Sequence, residues 1–361
     1  MELAERLRAT ALEHGLVGYG VASAEPFPAV RAEMERRREA GLSASMGFTY
    51  RDPDVATDVR RSYPWAQRLV TVAHAYVPSA GDPGPGLPGT GRIARFATED
   101  HYRPLAAGLE RLAEILGGEG HRAAVLMDDG RLVDRAAAVR AGVGWWGRST
   151  MVLANRHGPW MLVGSVATDA PLPCSTPMQR DCGTCTACLP ACPTGALEDG
   201  VLDARRCLAH LLQAPGSIPL EHRVAAGDRF YGCDDCLEAC PPGRRAAAQG
   251  SSDGRVDLIE ILGAADRTLV TRFAHFYIPR RHPRYLRRNA LVALGNSGGA
   301  GAVAVAAGYL GHPDPLLRSH AAWALGRLGG PGAAAALAAA EALEGDGEVI
   351  AEIRTALGTL R

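Results

Sequence analysis

Eight closely spaced cysteines carry the clearest chemical signal in this sequence. Four of them follow the spacing C-x2-C-x2-C-x3-C-P, which runs from Cys182 to Pro193. This is the spacing of bacterial proteins that hold [4Fe–4S] clusters, in which three thiolates bind one cluster and the fourth binds another. Clustered thiols in a reducing compartment indicate metal or redox chemistry rather than disulfides. The sequence therefore predicts two iron–sulfur clusters; zinc is the alternative, but it usually needs paired C-x2-C units.

A second, incomplete run from Cys233 to Pro241 repeats the last three cysteines of the first, and Phe230 stands where its first cysteine would be. Cys207, which lies between the runs, supplies the missing thiolate. In the crossed arrangement, the first cluster is bound by Cys182, Cys185, Cys188 and Cys240. The second cluster is bound by Cys192, Cys207, Cys233 and Cys236. Cys174 precedes both runs in a proline-rich loop and is expected to be a bystander.

Two clusters transfer single electrons but name no substrate, and an electron carrier needs far fewer than 361 residues. We therefore expect the clusters to supply electrons to a catalytic centre in the segment 1–172. That segment mixes helix and strand signals, which predicts an α+β domain. Its expected helices are Ala4–His14 and Leu105–Leu116, its expected strands are Leu69–Tyr76 and Met161–Thr168, and Ser79–Gly91 reads as a loop.

The remaining chain divides into a cysteine-rich segment, 173–250, and a helical segment, 251–361. Metal must hold the cysteine-rich segment together, because its apolar content is too low for a core. In the helical segment, Leu-Gly pairs recur at 294–295, 325–326 and 357–358. A period near 31 residues predicts a HEAT-like α-solenoid, with these glycines as helix C-caps. A generic alanine-rich helical bundle is the alternative.

Four stretches of the chain together resemble the epoxyqueuosine reductase family. The first joins Met127–Arg135 to Ala141–Thr150, and the second is the first cysteine run with Pro193–Ala196. The third is Leu202–Cys207 with Tyr231–Cys236. The fourth is the Arg-Arg-Asn-Ala and Trp-Ala-Leu-Gly pattern of the helical segment.

This resemblance implies a cobalamin-dependent oxidoreductase with two [4Fe–4S] clusters. Its family reduces the epoxide of epoxyqueuosine to the alkene of queuosine at the wobble position of tRNA, with electrons from an external donor. The resemblance also implies a nitroreductase-like, cobalamin-binding domain over 1–172, a ferredoxin-like domain over 173–250 and tRNA binding by the repeats over 251–361. The D-x-H-x-x-G signature of other cobalamin proteins is absent, so no histidine ligand to cobalt is predicted.

The resemblance assigns a proton-donating role to Asp128, although Asp-Asp-Gly is also an ordinary turn sequence. It makes Asp134 a structural residue or a contact to a corrin amide. Cobalamin contacts are likewise expected from Arg148, Asp234 and Asp235. The alternative for Arg148 is an ordinary surface arginine. The alternative for the two aspartates is to accept hydrogen bonds from backbone N–H groups around a cluster. Trp145 and Trp146 are expected to wall the pocket, with one of them in the core.

The chain departs from the family pattern at several of these places. It has Arg148 where the family often has lysine, and Arg103 where it often has histidine. It also has Pro242-Gly243 after the last cluster cysteine, where the family often has Trp-Asn. Arginine keeps the charge of lysine, whereas a role for position 103 becomes doubtful.

A basic stretch lies at the start of the helical segment. No Asp or Glu occurs from Arg267 to Pro313, although the chain is neutral overall. Interleaved arginines and aromatic residues suit a phosphate backbone, which predicts tRNA contacts. The residues expected to make them are Arg280, Arg281, Arg284, Arg287 and Arg288. The alternatives are a solvated helix face, or pairing of these arginines with the acids that reappear from Glu341 to Glu352.

Two rival functions remain open at this point. One is a corrinoid reductase of a small molecule, similar to a dehalogenase, and the other is an electron-transfer module that docks a protein partner. Apolar runs such as Leu69–Ala75 are too short to span a bilayer, and the N-terminus lacks the apolar segment of a signal peptide. We therefore expect a cytoplasmic protein with no membrane partner.

Overall fold

The structure is a computed structural model that describes residues 2–76, 87–247 and 254–360. Most of the expected loop Ser79–Gly91 and the expected boundary at 250/251 lie outside these residues. The helices described are α1 (Leu3–Glu13), α2 (Pro28–Glu39), α3 (Gly47–Tyr50), α4 (Pro53–Ala56), α5 (Tyr102–Gly118), α6 (Asp134–Arg140), α7 (Cys188–Ala191), α8 (Leu208–Gln213), α9 (Leu220–Ala226), α10 (Asp235–Glu238), α11 (Pro241–Ala247), α12 (Leu258–Gly263), α13 (Asp266–Arg272), α14 (Arg284–Ser297), α15 (Ala302–Gly308), α16 (Pro315–Leu328), α17 (Gly330–Glu341) and α18 (Gly347–Thr359). The strands are β1 (Gly18–Ser23), β2 (Arg68–Ala75), β3 (Thr90–Ile93), β4 (Ala123–Leu126), β5 (Trp145–Trp146), β6 (Val152–Leu153), β7 (Met161–Thr168), β8 (Leu197–Glu198), β9 (Val201–Leu202), β10 (Arg229–Tyr231) and β11 (Arg255–Asp257).

The chain folds into two compact units that interleave along the sequence. The first, which we call the sheet unit, comprises Met1–Ala80, Glu99–Arg205 and Asp235–Ser252. The second, which we call the repeat unit, comprises Gly81–Thr98, Arg206–Asp234 and Asp253–Arg361. The division into three domains, 1–172, 173–250 and 251–361, stays a prediction.

A four-stranded antiparallel sheet forms the centre of the sheet unit, in the order β1-β2-β7-β4. Strands β2 and β7 pair along their whole length, from Arg68 opposite Thr168 to Ala75 opposite Met161. Alternate residues of β2 face opposite sides, as a pleated strand requires. One side packs against α1 and α5, and the other against α6. The helices and strands expected in 1–172 are thereby confirmed to within a few residues.

The repeat unit contains the five helices α14–α18 and a three-stranded sheet in the order β10-β3-β11. Helix α14 begins at Arg284, because Pro283 disfavours a helical backbone at the residue before it. The predicted role of the Leu-Gly glycines is wrong. Gly295 and Gly326 lie inside α14 and α16, while Gly298 and Gly329, both with positive φ, end these helices.

The glycines inside the helices instead allow close helix packing. A Cβ atom on Gly295 would lie 2.9 Å from Cα of Ala324 in α16. A Cβ on Gly326 would lie 3.0 Å from Cα of Ala356 in α18. The glycines that recur with the 31-residue period therefore lie where α14 approaches α16 and where α16 approaches α18.

Within the described residues, no helix combines the length and apolar character needed to cross a lipid bilayer.

Candidate functional site

Asp128 lies in the loop between β4 and α6 of the sheet unit. Its φ is +49°, in the left-handed region that Asp tolerates better than most residues. Its backbone N–H donates to Oδ2 of Asp134, at 3.2 Å. Two residues later, a Cβ on Gly130 would lie 2.7 Å from the carbonyl oxygen of Phe48, so only glycine fits. Local contacts therefore hold the loop in this conformation.

The Asp128 carboxyl group meets the start of α5. The hydroxyl of Tyr102 donates to Asp128 Oδ2, at 3.4 Å. Although Asp128 is exposed as a residue, loss of solvation around its carboxyl raises the pKa, while the Tyr102 hydrogen bond and the Arg135 charge lower it less. Burial and the nearby Asp128 charge raise the pKa of Tyr102, which keeps its proton. A carboxyl with a raised pKa holds a proton closer to neutral pH, as a general acid requires.

Asp134, the first residue of α6, supports this loop. Burial, followed by the Asp128 charge, raises the pKa of its carboxyl well above the ordinary value. One oxygen, Oδ2, accepts the Asp128 amide. The other, Oδ1, is buried and has no hydrogen-bond partner among the described residues. Asp134 therefore holds the backbone of this loop, and its contact with a corrin amide stays a prediction.

The four thiols predicted to bind the first cluster lie together in the sheet unit. Burial raises the pKa of Cys188, and the charges of Cys182, Cys240 and Cys185 raise it further. Cys240 packs against Trp145 and Leu153, with Cys182 at the edge of this cluster. The sequence places Cys240 more than fifty residues from the other three, so the fold brings the set together. Among the described residues, no group of three or more His, Cys, Asp or Glu side chains is arranged so that it could hold a metal ion.

The other four predicted ligands are divided between the two units. Cys192 lies in the sheet unit, where its Sγ accepts the backbone N–H of Ala196 at 3.2 Å. Cys236 belongs to the short helix α10 of the same unit. Cys207 and Cys233 lie in the repeat unit. Cys174 is exposed.

Arg148 contacts the loop that carries the first cluster cysteines. Its backbone N–H donates to Cys182 Sγ at 3.4 Å, and its Nη2 donates to the carbonyl of Gly183 at 3.0 Å. Its Nη1 lies 3.3 Å from Asp199 Oδ1. The guanidinium is therefore engaged within the protein. These contacts help to hold the cysteine loop, and the corrin contact of Arg148 stays a prediction.

The remaining predicted contacts take different positions. Asp234 is buried and its Oδ2 accepts the backbone N–H of Arg95 at 2.7 Å, so the alternative of a backbone acceptor holds for it. Asp235 is the first residue of α10. Trp145 is buried and Trp146 is 42% exposed, which confirms that one of the two tryptophans belongs to the core.

The prediction that Arg287 and Arg288 contact tRNA is wrong. Arg288 has no exposed surface and donates to backbone carbonyls, and Arg287 is 8% exposed and pairs with Asp266 at 2.5 Å. Arg284 pairs with Asp314 at 2.6 Å. The two acids that bracket the acid-free stretch thus neutralise two of its arginines. A buried guanidinium cannot exchange counterions with a nucleic acid.

Two of the five arginines predicted to contact tRNA, Arg280 and Arg281, are exposed. Arg281 donates to the carbonyls of Val270, Ala274 and Phe276. Arg280 is exposed, has a φ of +52° and belongs to the short 3-10 turn Pro279–Arg281. The tRNA contact of Arg280 stays a prediction, and its exposed position is compatible with it.

Comparisons with known proteins agree with this arrangement. The family described as 4Fe-4S double cluster binding domain matches residues 181–243, and HEAT repeats match residues 280–358. Epoxyqueuosine reductase of Aliivibrio fischeri is 32% identical to this chain over 313 residues, which cover 82% of this chain and 83% of that protein. The chain belongs to the epoxyqueuosine reductase family. It is therefore an oxidoreductase, and the predicted resemblance and HEAT-like repeats are confirmed.

Solved members of the epoxyqueuosine reductase family share the fold along the whole chain. One, in complex with an epoxyqueuosine-modified tRNA-Tyr stem loop, is 29% identical, has a TM-score of 0.91, and the match covers 99% of this chain and 98% of that one. Another, from Bacillus subtilis, has its catalytic aspartate loop swung out of the active site. It is 30% identical, with a TM-score of 0.90 and 99% coverage of both chains.

Sequence reasoning missed Tyr102 as a partner of Asp128. The two residues are separated by 26 positions and by all of α5, so no local spacing connects them. It also missed which acids pair with Arg284 and Arg287, namely Asp314 and Asp266. A usable signal existed there, because Asp266 and Asp314 stand immediately outside the acid-free stretch.

Proposed function

We propose that this protein reduces the epoxide of epoxyqueuosine in tRNA to the alkene of queuosine. The observation that carries this proposal is the Asp128–Tyr102 pair in the same unit as four grouped thiols, in a chain whose family member binds the modified stem loop along the same fold. The reaction consumes two electrons and two protons and releases the epoxide oxygen as water. We propose that iron–sulfur clusters at the assigned cysteines deliver electrons singly from an external donor.

In this proposal, Asp128 donates a proton to the departing oxygen. Its raised pKa keeps a larger share of the carboxyl protonated than an exposed Asp would have. Tyr102 orients Oδ2 through its hydroxyl, and the Asp134 carboxyl holds the Asp128 backbone. The left-handed φ of Asp128 is then the backbone arrangement that presents this acid.

Cobalamin, which the family resemblance implies, fits the residues around this loop. The corrin ring carries amide side chains, and the unpartnered buried Oδ1 of Asp134 is an acceptor suited to an amide N–H. Trp146 presents an exposed aromatic surface in the same unit. We propose that Asp128, Asp134 and Asp235 contact this cofactor, which when bound supplies a low-valent cobalt that passes electrons to the substrate. We further propose that the sheet unit is nitroreductase-like and that the protein works in the cytoplasm, where its tRNA lies.

The direct test is an anaerobic assay of the reconstituted protein on tRNA from a strain that accumulates epoxyqueuosine. We expect queuosine to appear in nucleoside digests in proportion to the reductant consumed. Conversion of halogenated phenols without queuosine formation would favour the small-molecule reductase. Electron transfer to a partner without either product would favour the docking module.

Replacing Tyr102 by Phe should shift the pH dependence of the reaction. The protonated form of Asp128 is the active one, so the rate falls as pH rises through its pKa. The Tyr102 hydrogen bond lowers this pKa, so its removal raises the pKa and moves the falling limb to higher pH. The limb is measured as the single-turnover rate across a pH series, since binding and product release then do not mask it.

An unshifted limb in the Tyr102→Phe protein would remove Asp128 as the titrating group. Tyr19, whose hydroxyl donates to the carbonyl of Ala4, provides a matched control. The Tyr19→Phe protein should keep the original profile.

Arg280→Gln should weaken tRNA binding in a salt-dependent way. Each lost phosphate contact reduces the slope of log K against log[salt] by about 0.7–0.9. Arg287→Gln is the matched control, because this buried arginine pairs with Asp266 and should affect thermal stability instead. Filter binding over a salt series separates the two effects. Equal slopes for the wild-type and Arg280→Gln proteins would place the tRNA surface elsewhere.

A further inference from the structure

Helix α14 directs its buried polar side chains at the segment that contains Cys207 and Cys233. Asn289 is fully buried, and its Nδ2 donates to two carbonyl oxygens. One is Leu212 in α8, at 2.8 Å, and the other is Phe230 in β10, at 3.0 Å. Cys207 immediately precedes α8, and Cys233 follows β10 by two residues. A single amide group thus joins the two pieces of chain that carry these cysteines.

Arg288 fixes the orientation of that amide. Its Nε and Nη2 donate to Asn289 Oδ1 at 3.1 and 2.9 Å, so the amide nitrogen must point at the carbonyls. The same guanidinium donates to the carbonyls of Ala214 and Leu211, at 2.8 and 3.1 Å. These groups lie at the C-terminal end of α8, where a cation is favoured and carbonyls lack helical partners.

Apolar contacts also attach the two cysteine-bearing pieces to the repeat helices. Leu208 and Leu211 of α8 pack in one core with Val292 of α14 and Trp323 of α16, and Cys233 packs against that core. Both cysteine-bearing pieces are therefore attached to the repeat helices by buried hydrogen bonds and by apolar packing. Leaving a buried carbonyl without a hydrogen bond is costly, so these bonds strongly favour one spacing of the two pieces.

We propose that Asn289 and Arg288 are positioning residues for the second iron–sulfur cluster. They set the separation of Cys207 and Cys233, so the first repeat helix serves cluster assembly rather than tRNA binding at these positions. The inference rests on the proposed cluster ligands and extends them to residues that touch neither the cluster nor the substrate. Partners that orient metal ligands typically alter metal affinity about 10–100-fold when removed.

The test compares Asn289→Ala with Asn296→Ala in the full-length protein. Asn296 also lies on α14, and its Nδ2 also donates to two carbonyls, those of Arg223 and Gly227 at 2.8 and 3.0 Å. Both of its partners lie at the end of α9, so it joins no cysteine-bearing pieces. After anaerobic reconstitution, we expect about four iron atoms per chain in Asn289→Ala and about eight in Asn296→Ala.

Two further measurements separate positioning from general instability. Electron paramagnetic resonance of the reduced proteins should show the first cluster in both variants, and thermal unfolding of the cluster-free proteins gives their relative stability. If Asn289→Ala does not fold, Arg288→Lys keeps the charge but loses the planar fork. In that protein the second cluster should be lost at about 10–100-fold lower chelator concentration than in the wild type.

The outcomes distinguish this inference from the proposed function. Equal iron content in Asn289→Ala and Asn296→Ala, or wild-type chelator resistance in Arg288→Lys, would overturn the positioning role. A wild-type protein that binds only one cluster would overturn the ligand assignment itself. Normal clusters with no queuosine formed would instead contradict the proposed reaction and leave the positioning role standing.

Discussion

Asp128→Asn should lower the turnover of epoxyqueuosine by about 10²–10⁴-fold, the usual cost of losing a positioned general acid. Asparagine has nearly the same shape and can still accept the Tyr102 hydrogen bond, but it cannot release a proton to the departing oxygen. Because none of the predicted cluster cysteines belongs to this loop, iron content should stay at about eight atoms per chain. Single-turnover rates and iron analysis on the same preparation measure both effects.

Asp129→Asn is the matched control for this variant. Asp129 is the next residue of the same loop, but hydrogen bonds from Arg131 lower the pKa of its carboxyl. It therefore stays ionised and cannot act as the proton donor, so its replacement should leave the rate within a few-fold of the wild type. A near-normal rate in Asp128→Asn would exclude Asp128 and make Asp134, whose pKa is also raised, the next candidate.

Cys207→Ser should remove one of the two clusters and abolish turnover. Serine is a poor ligand for iron in this setting, so iron content should fall from about eight to about four atoms per chain. Without the second cluster, electrons have no complete path to the substrate. Iron and sulfide analysis, together with the absorption spectrum, measures the loss.

Cys174→Ser is the control for Cys207→Ser. Cys174 is exposed and lies outside residues 181–243, which match the double cluster domain. This variant should keep both clusters and full activity. If Cys174→Ser loses a cluster while Cys207→Ser keeps both, the assignment of the fourth ligand is wrong.

Local patterns explain what could be predicted from the sequence. The spacing of Cys182, Cys185 and Cys188 follows from the size of a cubane, and the strands β2 and β7 follow from short runs of β-branched and small apolar residues. The helix start at Arg284 follows from Pro283. Each of these signals lies within a dozen residues, where the chain's own geometry decides the outcome.

Features that depend on contacts between residues far apart in the chain cannot be predicted from local patterns. Arg287 and Arg288 have the composition of a phosphate-binding surface, but burial against α8 and pairing with Asp266 decide their role. The contact of Tyr102 with Asp128 depends on the packing of α5 beside the loop. The Leu-Gly pairs predict helix ends, because a glycine near a helix end is usually a cap. Only the neighbouring helix shows that Gly295 marks a close approach.

The glycines inside α14 and α16 have a consequence for how these repeats can change. Gly295 sets the distance between α14 and α16 at one point, and Gly326 sets the distance between α16 and α18. A methyl group at either position forces the neighbouring helix to move by a few tenths of an ångström or more. In a stack of repeats, such a displacement turns every later repeat, and the rotations add. Gly295→Ala would redirect α16 and α18, whereas Gly326→Ala would redirect α18 alone. Substitutions at these two positions would therefore change the curvature of the C-terminal surface without changing the residues that form that surface.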